Sequence, residues 1–340
     1  MDSLTQIVLG AACGEAVLGK KIGNKALLFG AIGGTIPDLD VLVGGWLYGN
    51  EIDAMLFHRG FMHSILFSVL ASFLLGWLVH KLYDFSKRQG TTTQKDWILL
   101  FFWSLFTHPI LDAFTPYGTQ LFAPFSNYRV ALNNIAVADL AYTLPFLVCM
   151  IVLMFFKRNS IKRRTWLKWG IGISSVYMLF TLGNKLYVDS VFRKSLKKAE
   201  INAARFSTQP AILNNILWYG IAETEASYYV SDYSLFDTES RFLNLRKIPK
   251  QRDLISSKYK DIEDLAWFSN GYYCIYKMNA KEYKYNDLRY PLLDLDDPNS
   301  SVFSLTLYKK GERLNMKPFE PKVDGMGNVF KSLWERMKGI

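Results

Sequence analysis

Three polar clusters interrupt long apolar stretches: Pro37-Asp38-Leu39-Asp40, His58-Arg59-Gly60-Phe61-Met62-His63-Ser64 and His108-Pro109-Ile110-Leu111-Asp112. Carboxylates and imidazoles are oxygen and nitrogen donors that suit zinc, with manganese or iron as alternatives. His108 and Asp112 are four residues apart, so they share one face of a helix. Pro37 lacks an N–H and clashes with the preceding turn, so a helix should break where Asp38 and Asp40 follow. His58 and His63 are five apart and do not share a helix face, but a turn at Gly60 lets both reach one ion. Arg59 matches a clamp for phosphate or carboxylate, because guanidinium binds such oxyanions bidentately. The candidate ligands are therefore Asp38, Asp40, His58, His63, His108 and Asp112, with Asp40, His58 and Arg59 also read as catalytic. One ion with an open position activates water. Two close ions clamp the attacking and leaving oxygens of a phosphoester. Each cluster also has a plainer reading: a solvated acid pair at a helix end, a histidine bonded to a neighbouring helix, or interfacial anchors.

The surroundings make these residues costly. An Asp near the middle of a bilayer costs about 2.5–3.5 kcal/mol, and three cost roughly 8–10 kcal/mol. A structural zinc ion binding with about 10–16 kcal/mol is large enough to offset that.

The chain has 340 residues, half of them hydrophobic, and a formal net charge of +10. The averages hide two halves. Residues 1–187 carry the apolar runs, and residues 188–340 are polar and rich in Tyr. The division predicts a transmembrane metal-binding helical domain over 1–187 and an extracytoplasmic soluble domain over 188–340. Much of the positive excess sits at 20–25, 81–95 and 157–168, flanking apolar runs. Such residues set membrane topology, so no nucleic-acid partner is expected. Three cysteines, Cys13, Cys149 and Cys274, have no zinc-type spacing. The start, Met1-Asp2, lacks the basic region of a signal peptide, so it is expected to be retained.

Candidate spans are about 3–19, 26–47, 61–80, 97–115, 135–156 and 169–187, which makes about five to six transmembrane helices. The first is short, and its alternative reading is an interfacial or re-entrant helix. Gly10 and Gly14, with Gly30 and Gly34, have the spacing that lets two membrane helices approach closely. Placing the basic groups inside puts the segments 48–60 and 114–134 and everything after 188 outside. Asp38 and Asp40 then lie about 18–21 Å outward along one helix, and His108 and Asp112 about 16–22 Å outward along another. Three clusters thus converge on one depth. His80, beside Lys81 at the opposite end, reads as interfacial. The outer loop contributes Tyr117, Asn127 and Arg129 as candidate substrate contacts, and Asp139 as a ligand or a helix cap.

Met1-Asp2-Ser3-Leu4-Thr5-Gln6, the three clusters and Tyr117-Gly118-Thr119 together resemble the YdjM-like family of inner-membrane, metal-dependent hydrolases. The resemblance covers roughly residues 1–190. It implies a multi-pass protein of the bacterial inner membrane with hydrolase activity. The His/Asp pattern is also distantly similar to zinc phospholipase C and related zinc nucleases, which points to phosphoesters. Many relatives have His where this chain has Gln6, which makes one ion the more secure reading here. Gln6 and Ser64 join the candidates as neighbours of the ligands.

Beyond 188, charged residues extend the last helix. The runs 216–230, 266–278 and 302–309 read as strands of a small β-rich or α+β domain. Tyr228-Tyr229 and Tyr272-Tyr273 read as sheet residues, 294–297 as a loop, and 329–337 as a short amphipathic helix. A mainly α membrane bundle followed by this smaller domain is the expected fold. Its expected function is hydrolysis of a phosphoester or related ester near the outer leaflet by metal-activated water. Membrane lipids are the expected surroundings, and a lipid or lipid-linked phosphoester the substrate. The oligomeric state is left open. The alternatives are a metal or proton transporter and a non-catalytic, metal-stabilised scaffold.

Overall fold

The computed structural model describes residues 1–252, 259–292, 301–319 and 326–339. The expected loop 294–297 lies outside them. The chain forms two compact units. One comprises Met1–Gly44, Phe57–Leu182 and Ile212–Asn214; the other comprises Gly45–Leu56, Gly183–Ala211 and Asn215–Ile340.

Helices occupy all six apolar stretches. They are α1 (Ser3–Ile22), α2 (Asn24–Thr35) continued through a 3₁₀ turn (Ile36–Leu39) into α3 (Asp40–Leu47), α5 (Ile65–Tyr83), α6 (Gln94–Asp112), α7 (Leu140–Met154) and α8 (Ile161–Lys198). A short α4 (Glu51–Phe57) precedes α5. As expected, Pro37 falls where α-helix gives way to the 3₁₀ turn.

Among the described helices, Asn24–Leu47 and Ile65–Tyr83 are long and apolar enough to cross a membrane. Leu140–Met154 is apolar but shorter. The expected count of five to six therefore exceeds what length and hydropathy carry. The reason is compositional: α1 contains Glu15, Lys20 and Lys21, and α6 contains Lys95, Asp96, His108 and Asp112. The surface of α5 shows what such a helix does. Leu70, Phe73, Leu74 and Trp77 are exposed, while Ser68, Ser72 and Gly76 are buried. Small residues face the neighbouring helix and large apolar ones face outward, as lipid-exposed helices do.

α1 and α2 pack backbone to backbone. A Cβ on Gly14 would lie 2.9 Å from the Gly30 Cα, and one on Gly34 would lie 3.1 Å from the Gly10 Cα. The hairpin turns at Gly23, whose φ of 62° is the left-handed conformation glycine adopts without strain. Glu15 of α1 is buried against Arg163 of α8, whose guanidinium takes both carboxylate oxygens at 2.7 and 2.6 Å. Arg163 also donates to Asn24 Oδ1 and to the carbonyls of Leu153 and Phe156. Its place in the basic 157–168 flank predicts a topology-setting residue, yet it is 1% exposed.

The other unit contains two four-stranded antiparallel sheets, each a simple meander in sequence order. The first has β1 (Arg205–Pro210), β2 (Leu217–Glu223), β3 (Ser227–Ser234) and β4 (Arg246–Pro249). The second has β5 (Tyr273–Lys277), β6 (Glu282–Asp287), β7 (Ser304–Lys310) and β8 (Arg313–Pro318), preceded by α9 (Lys260–Phe268). The run 216–230 is two strands with a turn between them, because Thr224 and Ser227 close a tight turn. The run 266–278 begins as the end of α9 and becomes β5 only at Tyr273. The α9 segment Lys260–Phe268 buries Ile262, Leu265 and Phe268 at helical spacing. Tyr228, Tyr229 and Tyr273 are strand residues, and Tyr272 immediately precedes β5. α10 (Met326–Met337) covers the expected terminal helix.

Candidate metal centre

Four ligand atoms converge from three segments of the helical unit. His63 ends a 3₁₀ turn (Phe61–His63) ahead of α5, His108 and Asp112 lie on the last turns of α6, and Asp38 sits in the 3₁₀ turn after α2. His63 Nε2 and His108 Nε2 are 3.1 Å apart. Asp38 Oδ1 is 3.4 Å from each of them. Asp112 Oδ2 is 3.4 Å from His63 Nε2 and 3.5 Å from His108 Nε2. Tetrahedral zinc with bonds of about 2.0–2.1 Å needs ligand atoms about 3.3–3.4 Å apart. Five of the six separations among the four atoms are thus close to the edges of such a tetrahedron, and all four atoms lie within 4.8 Å of one another.

The rest of each side chain is fixed. His108 Nδ1 is 2.6 Å from the Gly34 carbonyl, which accepts its proton and leaves Nε2 as a lone pair. His63 Nδ1 is 2.9 Å from Asp40 Oδ2. Both imidazoles therefore have an oxygen behind them and a lone pair in front, the arrangement that orients metal-binding histidines. Asp112 Oδ2 is buried and accepts no hydrogen bond. The Asp112 carboxylate already faces two cations, the Arg59 guanidinium and the Met1 amino group, and Oδ2 also points toward the two imidazoles. The donor set of two imidazoles and two carboxylates fits a divalent ion.

Asp40 and His58 stand one shell back. Asp40 Oδ1 is 2.7 Å from His58 Nδ1, and Oδ2 accepts from the Arg59 N–H at 2.9 Å. Asp40, His58 and His63 form a second candidate cation group through the opposite nitrogen of His63. Burial pushes the His58 imidazole below its ordinary range, against the pull of Asp40. Arg59 has a φ of 59°, rare for a side chain of this size and a mark of a constrained site. Its guanidinium donates to Thr115 Oγ1, lies 3.3 Å from Asp112 Oδ2 and stacks 4.6 Å from the Tyr117 ring centroid. At 4% exposure, Arg59 is turned inward onto Asp112.

The remaining candidates divide. Gln6 Nε2 donates to Asp112 Oδ1 and to the His108 carbonyl, so Gln6 buttresses two ligands through its amide. Tyr117 packs edge-on against His58. Arg129 donates to the His58 and Gly118 carbonyls. Ser64 caps α5 through Phe67 N, and Asp139 caps α7 through Tyr142 N while accepting from Tyr177. Both are thus helix caps. Asn127 is exposed in its loop and is not among the gathered residues. The Met1 amino group pairs with Asp112 Oδ1, a partner that no motif signals. Thr115 and the Gly34 carbonyl also escape sequence reading, since neither carries a distinctive spacing. A cleft of about 1060 Å³ in the other unit, lined by Tyr283, Tyr308, Lys309 and Lys317 among others, contains none of these residues.

Residues 1–187 match the model of a family described as YdjM inner membrane protein. The chain belongs to that family. It is also 31% identical over 149 residues to the uncharacterized protein YfhP of Bacillus subtilis strain 168. That match covers 41% of this chain and 42% of YfhP, so less than half of the relative's length is spanned. No solved structure matches. The three clusters and the Met1–Gln6 segment all lie inside the family-matched residues, whereas both sheets lie beyond them.

Proposed function

We propose that this family member is a membrane-embedded, metal-dependent hydrolase that cleaves a phosphoester or related ester close to the outer leaflet. The observation that carries the reading is the convergence of Asp38, His63, His108 and Asp112, whose candidate ligand atoms all lie within 4.8 Å of one another. A divalent ion held there, zinc by its donor set of two imidazoles and two carboxylates, would supply Lewis acidity and lower the pKa of water. Asp38 is the partly open corner, with 22% side-chain exposure against 0–1% for the other three. His58, also 22% exposed and held by Asp40, is placed to take a proton. Arg59 balances Asp112 and is the guanidinium proposed to meet an anionic group of the substrate.

The proposed setting is a bacterial inner membrane, crossed five or six times, with the C-terminal unit outside. The basic flanks at 20–25, 81–95 and 157–168 support that orientation. A lipid or lipid-linked phosphoester is the substrate class such a setting favours.

One observation favours a second reading, a metal-stabilised scaffold without catalysis. Four protein atoms are already gathered, the number that structural zinc sites use, while catalytic sites keep one position open. The experiment is to load the purified protein with Co²⁺ and record its visible absorption with wild type and Asp38→Asn, then to screen phosphoesters and phospholipids for metal-dependent turnover. A five-coordinate spectrum with turnover lost in His58→Ala supports the hydrolase. An invariant four-coordinate spectrum with no turnover supports the scaffold.

A further inference from the structure

The loop between α3 and α5 does not belong to the helical unit that flanks it. Residues Gly45–Leu56 are part of the C-terminal unit, and the chain re-enters the helical unit at Phe57. α4 is built into the face of the second sheet. Ile52 is fully buried in a cluster with Ile262, Leu265, Tyr285, Leu307 and Leu314, and Met55 and Leu56 pack against it. Asn50 Nδ2 donates to the Leu314 carbonyl at 2.7 Å, and Asn315 Oδ1 accepts from Glu51 N at 2.9 Å. Arg313 at the start of β8 takes both oxygens of Asp53 at 2.7 and 2.8 Å and also holds Asp261 on α9.

No linker separates this anchored helix from the candidate metal centre. Phe57 is the last residue of α4, and His58 and Arg59 are the next two. Gly60 N bonds back to the Phe57 carbonyl at 3.0 Å, so the turn closes directly on the helix end. The Arg59 N–H and the His58 ring are the two groups that hold Asp40, and Asp40 stands behind His63. Peptide geometry leaves two soft dihedrals per residue, so displacement at Phe57 reaches the Arg59 amide within a few torsions.

We propose that α4 is a tether through which the C-terminal unit sets the backbone at His58 and Arg59, and hence the orientation of His63. Arg313 and Asp53 are then positioning residues for a centre they do not touch. The inference rests on the metal-centre reading for its consequence but not for the tether itself. The C-terminal unit, whose two sheets lie outside the family-matched residues, acquires a role in tuning the shared site.

The test uses the full chain in detergent, comparing wild type with Arg313→Ala, Asp53→Ala, the double variant and Arg313→Lys. Arg313 also pairs the buried Asp261, so Arg313→Ala is checked by a thermal melt, and Asp53→Ala, which leaves that pair in place, is the variant expected to keep the fold intact. Two readouts follow: hydrogen exchange of the 51–60 amides without metal, and Co²⁺ affinity with its visible spectrum. The tether predicts faster exchange that extends through Arg59. It also predicts Co²⁺ binding weakened by up to about tenfold with an altered spectrum. The double variant should match the single ones, and Arg313→Lys should recover part of the effect. Faster exchange confined to 51–57, with His58, Arg59 and the Co²⁺ spectrum unchanged, overturns the proposal. Failure of wild type to bind Co²⁺ overturns the metal reading, while the exchange arm still decides the tether.

Discussion

Asp40 and His63 lie 2.9 Å apart, carboxylate oxygen to Nδ1, while the opposite nitrogen of His63 faces three other ligand atoms. Asp40 therefore acts through an imidazole. The distinction matters because a direct ligand and an orienting carboxylate fail differently when removed.

Removing a ligand should abolish binding, and removing the orienter should weaken it. His63→Ala and Asp112→Ala are expected to lose zinc by more than about a hundredfold, and Asp40→Asn by about 10–100-fold. Equilibrium dialysis with metal analysis checks this. Equal loss in all three would make Asp40 a ligand.

Chelation should destabilise the helical unit. A ligand that binds the folded state at 100 times its Kd adds about 2.7 kcal/mol. The melting temperature should fall on adding a strong chelator and recover with zinc. In Asp112→Ala, the chelator should have no effect.

The Glu15–Arg163 pair should behave as a buried ion pair. Arg163→Ala leaves a buried carboxylate and should cost about 3–5 kcal/mol. The double change Glu15→Leu with Arg163→Leu should be far milder. Denaturation of the three variants in detergent measures the difference, and a double variant as unstable as the single one would contradict it.

The α1–α2 contact should tolerate no side chain. Gly30→Val forces a branched chain into backbone, since even a Cβ there would lie 2.8 Å from the Gly14 Cα. A loss of about 1–3 kcal/mol is expected, read as a lower melting temperature. Gly45→Ala, with nothing within 4 Å, is the control and should melt like wild type.

Acid should act on the C-terminal unit through Glu223. Burial raises its carboxyl, but Lys250 and Arg205 outweigh that and hold it below the ordinary range. A depressed folded pKa means the stabilisation is present above the unfolded pKa and lost as pH falls through the folded one. Glu223→Gln should be less stable at neutral pH and flatter below about pH 4. A parallel pH profile for the two proteins would remove Glu223 from the account.

Much of the centre was legible because its donors are chemically conspicuous. Asp and His inside apolar runs announce themselves, and the i, i+4 spacing of His108 and Asp112 fixes a shared face. What stayed hidden depends on contacts between distant segments. Spacing could not separate the ligand Asp38 from the orienter Asp40, two residues away, because that depends on where His63 points. Asp139 and Ser64 resembled site residues because capping uses the same oxygens as coordination. Arg163 lay in a basic run, and only its distant partner Glu15 marks it as buried. The placement of 45–56 was equally invisible, because Ile52, Met55 and Leu56 read as ordinary loop-flanking apolar residues until β7 and β8 exist to receive them.

Asp38, His63 and Asp112 reach the nascent chain at very different times. When the first two have left the ribosome, α6 has not been made, and their charges and lone pairs have no common guest to share. On the proposed metal reading, ion capture can come only after Asp112 is made, once more than a hundred residues are synthesised.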